Sequence, residues 1–131
     1  MRNKVLNITC VFIFLSFWNV SASQTSQIYD GDTINVVDEN NMKQGHWIYF
    51  GNMKNIPGYS PDQKVEEGSF KNNRKSGAWT KYFADESTKS VIEYINNRPN
   101  GAYKIYYENG VIQEQGIWKN NRNIGAFVRK Y

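Results

Sequence analysis

Sulfur chemistry is almost missing from this chain: its 131 residues hold a single cysteine, Cys10. One thiol cannot close an intrachain disulfide or build a thiolate metal site, so stability has to come from strand pairing and packing. Histidine is as scarce, with His46 alone. A lone imidazole beside Trp47, without a recognisable nucleophile or orienting carboxylate, gives no basis for a Ser-His-Asp set. Asp85 and Glu86 share a turn but have no facing carboxylate, which removes the paired-acid argument. No enzyme, metal site or cofactor is expected. Of three prolines, two (Pro57 and Pro61) fall in one short stretch. No segment keeps an apolar period of 3.6 residues, so long amphipathic helices are not expected.

Long apolar runs are also lacking, except at the start. Arg2 and Lys4 precede an apolar stretch densest from Val11 to Trp18, followed by small residues Ser21, Ala22 and Ser23. This order reads as a secretory signal peptide over 1–23, too short to match the about 20 apolar residues of a spanning helix. Cleavage there leaves 131 − 23 = 108 residues without cysteine, and 16 − 2 = 14 basic against 12 acidic side chains. The remaining net charge of +2 gives nucleic-acid binding little support. An extracytoplasmic location, periplasmic or secreted, is the expectation.

What is present is repetition. GSFKNNRKSGAWT at Gly68 recurs as IEYINNRPNGAYK at Ile92 and as GIWKNNRNIGAFV at Gly116, with a looser copy, VVDENNMKQGHWI, at Val36. A fixed period of this length marks stacked units that bury surface against their neighbours. Residues 24–32 read as a flexible, polar lead-in and 33–131 as the repeat domain. Strands are expected at Thr33–Glu39, Gly45–Phe50 and near 64–71, 77–83, 89–96, 101–107, 111–119 and 125–131. The fold class is therefore all-β, an elongated single-layer antiparallel meander of about eight strands. Gly51–Lys64 reads as a loop.

The repeat also fixes a trial register. A four-residue loop at 72–75 sets Gly68 against Trp79 and Phe70 against Gly77, and its equivalents set Ile92 against Tyr103 and Tyr94 against Gly101. A two-residue Asn109-Gly110 turn, needing positive φ at both positions, independently sets Tyr103 against Gly116 and Gly101 against Trp118. One row then alternates small or aliphatic with aromatic: Gly68, Trp79, Ile92, Tyr103, Gly116, Phe127. A ring over a cross-strand glycine recovers packing that the glycine lacks. Glu66 falls opposite Lys81 and Glu114 opposite Arg129, and a one-residue slip loses both pairs.

The Gly-x-aromatic phrase after an Asn-rich turn resembles the MORN (membrane occupation and recognition nexus) repeat, in the degenerate bacterial variant described as antitoxin-like. It is carried by Gly45, Trp47, Gly77, Trp79, Tyr82, Gly101, Tyr103, Tyr106, Gly125 and Phe127, over roughly 34–131. The strict pattern's Tyr-x-Gly lead-in and trailing Asp-Gly are mostly replaced. The resemblance implies MORN-like hairpin repeats used for binding or scaffolding, with an antitoxin-like immunity protein acting in the cell envelope as the alternative.

Three groups of residues are candidates for contact. Arg74, Arg98 and Arg122 follow equivalent Asn-Asn pairs and are expected in turns along one edge, about 10 Å apart at about 4.8 Å per strand. The plainer reading is that duplication copied soluble turn residues. Tyr82 and Tyr106 belong to the aromatic columns, which either stabilise the sheet or, because one layer cannot cover both faces, present an aromatic surface. Tyr59 sits in the loop that breaks the period. Expected partners are another protein or an anionic envelope component, with peripheral membrane contact and no nucleic acid.

Overall fold

The computed structural model describes residues 7–11 and 23–124. Among these, ten strands lie in chain order in one antiparallel sheet. They are β1 (Asn7–Val11), β2 (Gln24–Tyr29), β3 (Asp32–Val37), β4 (Lys43–Phe50), β5 (Lys64–Lys71), β6 (Arg74–Tyr82), β7 (Thr88–Ile95), β8 (Arg98–Tyr106), β9 (Ile112–Lys119) and β10 (Arg122–Ile124). The fold is the all-β meander expected. The expected last strand over 125–131, with Gly125, Phe127 and Arg129, lies outside the described residues.

Two expectations are corrected: 24–29 is strand β2, and the segment read as a loop over 51–64 opens with one helical turn, Gly51–Lys54. Asp30 and Gly31 both take positive φ, 52° and 87°, so a two-residue turn folds β2 back onto β3 and buries Tyr29. β1 falls inside the segment read as a signal peptide and pairs along β2, from Asn7 opposite Ile28 to Val11 opposite Gln24.

Turn chemistry differs between the two ends of the sheet. At one end Asn72-Asn73, Asn96-Asn97 and Asn120-Asn121 each place two successive residues at φ between 48° and 70°. Asparagine tolerates this left-handed region better than other side chains that carry a Cβ, which suits it to two-residue type I′ turns. The four-residue loops expected there are thus corrected, and Arg74, Arg98 and Arg122 become the first residues of strands. At the opposite end two hairpins use three-residue loops. Phe83 N–H donates to Ser87 O at 2.8 Å and Tyr107 N–H to Val111 O at 2.9 Å. Only the third residue of each loop, Glu86 (φ 70°) or Gly110 (φ 83°), is left-handed. Asn109-Gly110 is therefore not the type I′ turn expected.

The register survives these changes because a bulge compensates for each shorter turn. Beside the turn Lys71 faces Arg74 and Phe70 faces Lys75, yet beyond the bulge Glu67 faces Thr80 and Glu66 faces Lys81, as expected. Gly77 (φ 77°) and Gly101 (φ 105°) sit in these bulges, where a residue without Cβ is favoured. The pairs Ile92–Tyr103, Gly101–Trp118 and Tyr103–Gly116 are all present. The strand-end pairs are displaced. Phe70 faces Gly45 and Tyr94 faces Gly77, each a positive-φ glycine of the preceding strand.

Both faces of β4 are apolar, and two small cores result. Ile48 and Phe50 pack with Tyr29 and Ile34 on one face, while Trp47 packs with Phe70 and Trp79 on the other. β3 and β4 pair directly at Val36–Gln44 and Val37–Lys43. Beyond that, buried Asn35 extends the ladder with its side chain, donating to Ile48 O at 3.0 Å and accepting from Ile48 N–H at 2.8 Å.

Candidate binding surface

The aromatic stripe forms one face of the sheet and is largely closed. Trp47 donates its indole N–H to Val36 O at 3.2 Å and Trp79 donates to Ser69 O at 3.0 Å, which lays each ring over the preceding strand. Phe70 bridges them, with ring centroids 5.7 Å from Trp47 and 4.9 Å from Trp79. Lysines cover the rest. Lys43 Nζ lies 5.0 Å from the Trp47 ring centre and donates to Tyr49 Oη at 2.9 Å, and Lys75 Nζ lies 4.2 Å from the Trp79 ring. Lys54, 4.1 Å from the Tyr49 ring, joins Lys75 in pairing with Glu66, at 3.7 and 3.8 Å. Burial lowers the Lys75 pKa, against the pull of Glu66. Such cation–π contacts contribute about 0.5–2 kcal/mol each, more as they are desolvated. Trp79 and Tyr103 keep only 3% of their surface exposed. Over β4–β7 long lysine stems thus cover the stripe, while Trp118 in β9 is half-buried with the Tyr103 ring 6.1 Å away.

The opposite face carries the arginines. Cross-strand partners point to the same side of a sheet. Lys71 faces Arg74, Ile95 faces Arg98, Lys119 faces Arg122 and Ile117 faces Ile124. These eight residues share one face and all are exposed, with Ile95 at 57%, Ile117 at 50% and Ile124 at 46%. Among the described residues the ion pairs involve none of the five cations. Lys71 and Lys119 were not among the sequence candidates, nor were the isoleucines. A two-residue turn is the signal that reveals them, because it makes the residues flanking Asn-Asn direct partners.

The tyrosine candidates lie at the far end of the strands. Eight residues separate Arg98 from Tyr106, about 26 Å at about 3.3 Å per residue. The structure therefore does not bring the six candidates into one site. Tyr59 donates its hydroxyl to Tyr82 O at 2.8 Å, tying the 51–63 loop to the β6–β7 hairpin. Tyr82 donates its own hydroxyl to Glu67, which also meets His46 at 3.0 Å and Lys64 at 3.2 Å. Burial pushes the Glu67 carboxyl up, but Tyr82, Lys64 and His46 together outweigh it and hold the pKa below the usual range. Burial and the adjoining Glu67 carboxylate raise the Tyr82 pKa. His46 is thus one hydrogen-bonding partner in the cluster around Glu67. Asp85 anchors its turn, accepting from Ser87 N–H at 2.9 Å and Ser87 Oγ at 2.5 Å. Among the described residues no group of three or more His, Cys, Asp or Glu side chains could hold a metal ion.

Tyr106 borders open space. With Phe83, Lys89, Tyr107, Glu108 and Gln113 it lines a groove of about 930 Å³ between the β6–β7 and β8–β9 hairpin ends.

No family model, curated protein or solved structure matches this chain.

Proposed function

We propose that the chain is an exported, non-enzymatic binding or scaffolding protein of MORN-like character, whose contact surface is the basic edge of the sheet. The observation that carries this reading is the exposed row of Lys71, Arg74, Arg98, Lys119 and Arg122, in no ion pair among the described residues, beside three exposed isoleucines. Over β4–β7 the aromatic face is covered by its own lysines, whereas the row on the opposite face is exposed. Arginines two strands apart present forked cations about 10 Å from one another. An anionic envelope component, such as phosphate-bearing lipid head groups, fits that spacing and charge. Signal cleavage would remove β1 and leave β2 as a sheet edge.

The exposed isoleucines favour a second reading, in which the same face caps a protein, as an antitoxin-like immunity protein would. Arg98→Glu separates these from a purely structural row. Binding to anionic phospholipid vesicles should fall at least tenfold in the first case. Unchanged vesicle binding together with lost capture of a protein partner supports the second. If Arg98→Glu alters neither, the arginines are soluble strand starts and nothing more.

A further inference from the structure

The groove at the other end of the sheet has an internal precedent. The β6–β7 and β8–β9 hairpins are built alike. Each closes with a hydrogen bond from the residue after the strand, Phe83 N–H to Ser87 O and Tyr107 N–H to Val111 O, and each has a second bond back, Glu86 N–H to Phe83 O and Gly110 N–H to Tyr107 O. Each also bulges at an equivalent place on the returning strand, next to Lys89 and next to Gln113. Tyr82, Phe83 and Ala84 thus correspond to Tyr106, Tyr107 and Glu108.

The space in front of the first set is filled by the protein's own loop. Tyr59 donates to Tyr82 O at 2.8 Å, and the Gln63 carboxamide donates to Ala84 O. That loop keeps its own shape through Gly51 N–H to Gln63 O at 2.9 Å and Asn52 N–H to Pro61 O at 3.1 Å. The β6–β7 hairpin has no such extension, so the equivalent space in front of Tyr106, Tyr107 and Glu108 is the open groove. The groove is open to solvent along its length, a surface that a loop can lie on rather than an enclosed cleft.

We propose that this groove is a peptide-binding site, receiving a partner loop that presents a phenol and a carboxamide to the carbonyls of 106–108 as Tyr59 and Gln63 present theirs to 82–84. Tyr107 and Phe83 supply aromatic walls, with Lys89 Nζ 5.6 Å from the Phe83 ring centre, and Lys89 and Glu108 bring charges of both signs to the lining. The site lies at the opposite end of the strands from the basic edge, so it stands or falls separately from it.

The test uses the isotope-labelled full chain and a head-to-tail cyclic peptide with the sequence of residues 51–63. Amide shift changes are expected at Phe83, Lys89, Tyr106–Asn109 and Gln113. A peptide with Tyr59→Phe and Gln63→Leu should bind at least tenfold more weakly, and Gln113→Trp in the protein should abolish binding without lowering Tm. The proposal is overturned by silence at millimolar peptide, by shifts confined to 51–63 and 82–84, or by equal binding of the altered peptide. A response to a soluble oligosaccharide but not to the peptide also overturns it. Shifts only at Arg74, Arg98 and Arg122 would overturn the groove and leave the basic edge standing.

Discussion

Glycine acts at two kinds of position. A Cβ on Gly68 would run into the Trp79 ring, so its absence is what lets the indole lie flat across β5. Gly101 combines φ 105° with a Cβ direction that points at the Glu93 carboxylate. Valine there would add steric overlap to a left-handed backbone. The exposed Glu93 side chain can swing aside, so the cost is chiefly the strained backbone, about 1–3 kcal/mol. Gly101→Val is therefore expected to lower Tm by well over 5 °C, and an unchanged melt would refute the register. Glu67 gives a pH signature. Its folded pKa is depressed, so the unfolded chain takes up a proton first, and the stabilisation present at neutral pH is lost as pH falls below about 4.3. Glu67→Gln should flatten that acid limb of a melting-temperature profile relative to the parent chain. Parallel acid limbs would show that the cluster around Glu67 is not coupled to folding.

At the scale of the element, the Asn-Asn turns also connect neighbouring hairpins. Asn73 accepts from Lys43 N–H at 2.7 Å and returns its own N–H to Lys43 O at 3.1 Å, and Asn97 repeats this with Lys75 at 3.3 and 3.0 Å. Gln44 reinforces the first link by bonding Asn72 in both directions. At the third turn the corresponding strand residue is Pro99, which has no N–H to give. Asn97→Gly keeps the turn's positive φ and removes only the side-chain acceptor, so it should cost about 0.5–1.5 kcal/mol in denaturant unfolding. Asn121→Gly should cost less. Equal losses would mean that the turn alone matters. Much of this element was legible: period, strand alternation and the far side of each register followed from where Gly and aromatic residues recur. The turn length was not, because a two-residue turn with a bulge and a four-residue loop give the same pairing beyond the bulge. Only the Asn-Asn pair hinted at the former. β2 was hidden because its polar residues carry no apolar alternation, and Asp30-Gly31 alone marks its end.

Across the whole molecule, a sheet one layer thick has too few apolar residues to cover both faces, and it resolves this by asymmetry. One face stacks Trp47, Phe70 and Trp79 under Lys43 and Lys75. The other is apolar at the N-terminal end and basic and isoleucine-bearing towards β10. The sequence identified the arginine series and the aromatic columns but could not assign them to faces, since each bulge shifts strand position without leaving a distinctive letter. The tyrosine candidates failed as a group for a related reason: Tyr59 and Tyr82 spend their hydroxyls internally, which only the loop's path reveals. The central claim is a division of labour within the repeat, glycines and aromatics for packing and arginines for contact. The most direct measurement compares the chain with an Arg74→Glu, Arg98→Glu, Arg122→Glu triple variant, recording Tm and binding to anionic phospholipid vesicles. A Tm within a few degrees of the parent and at least a hundredfold loss of binding is the expected result. Binding that survives the triple reversal, or a sheet that unfolds because of it, would contradict the claim.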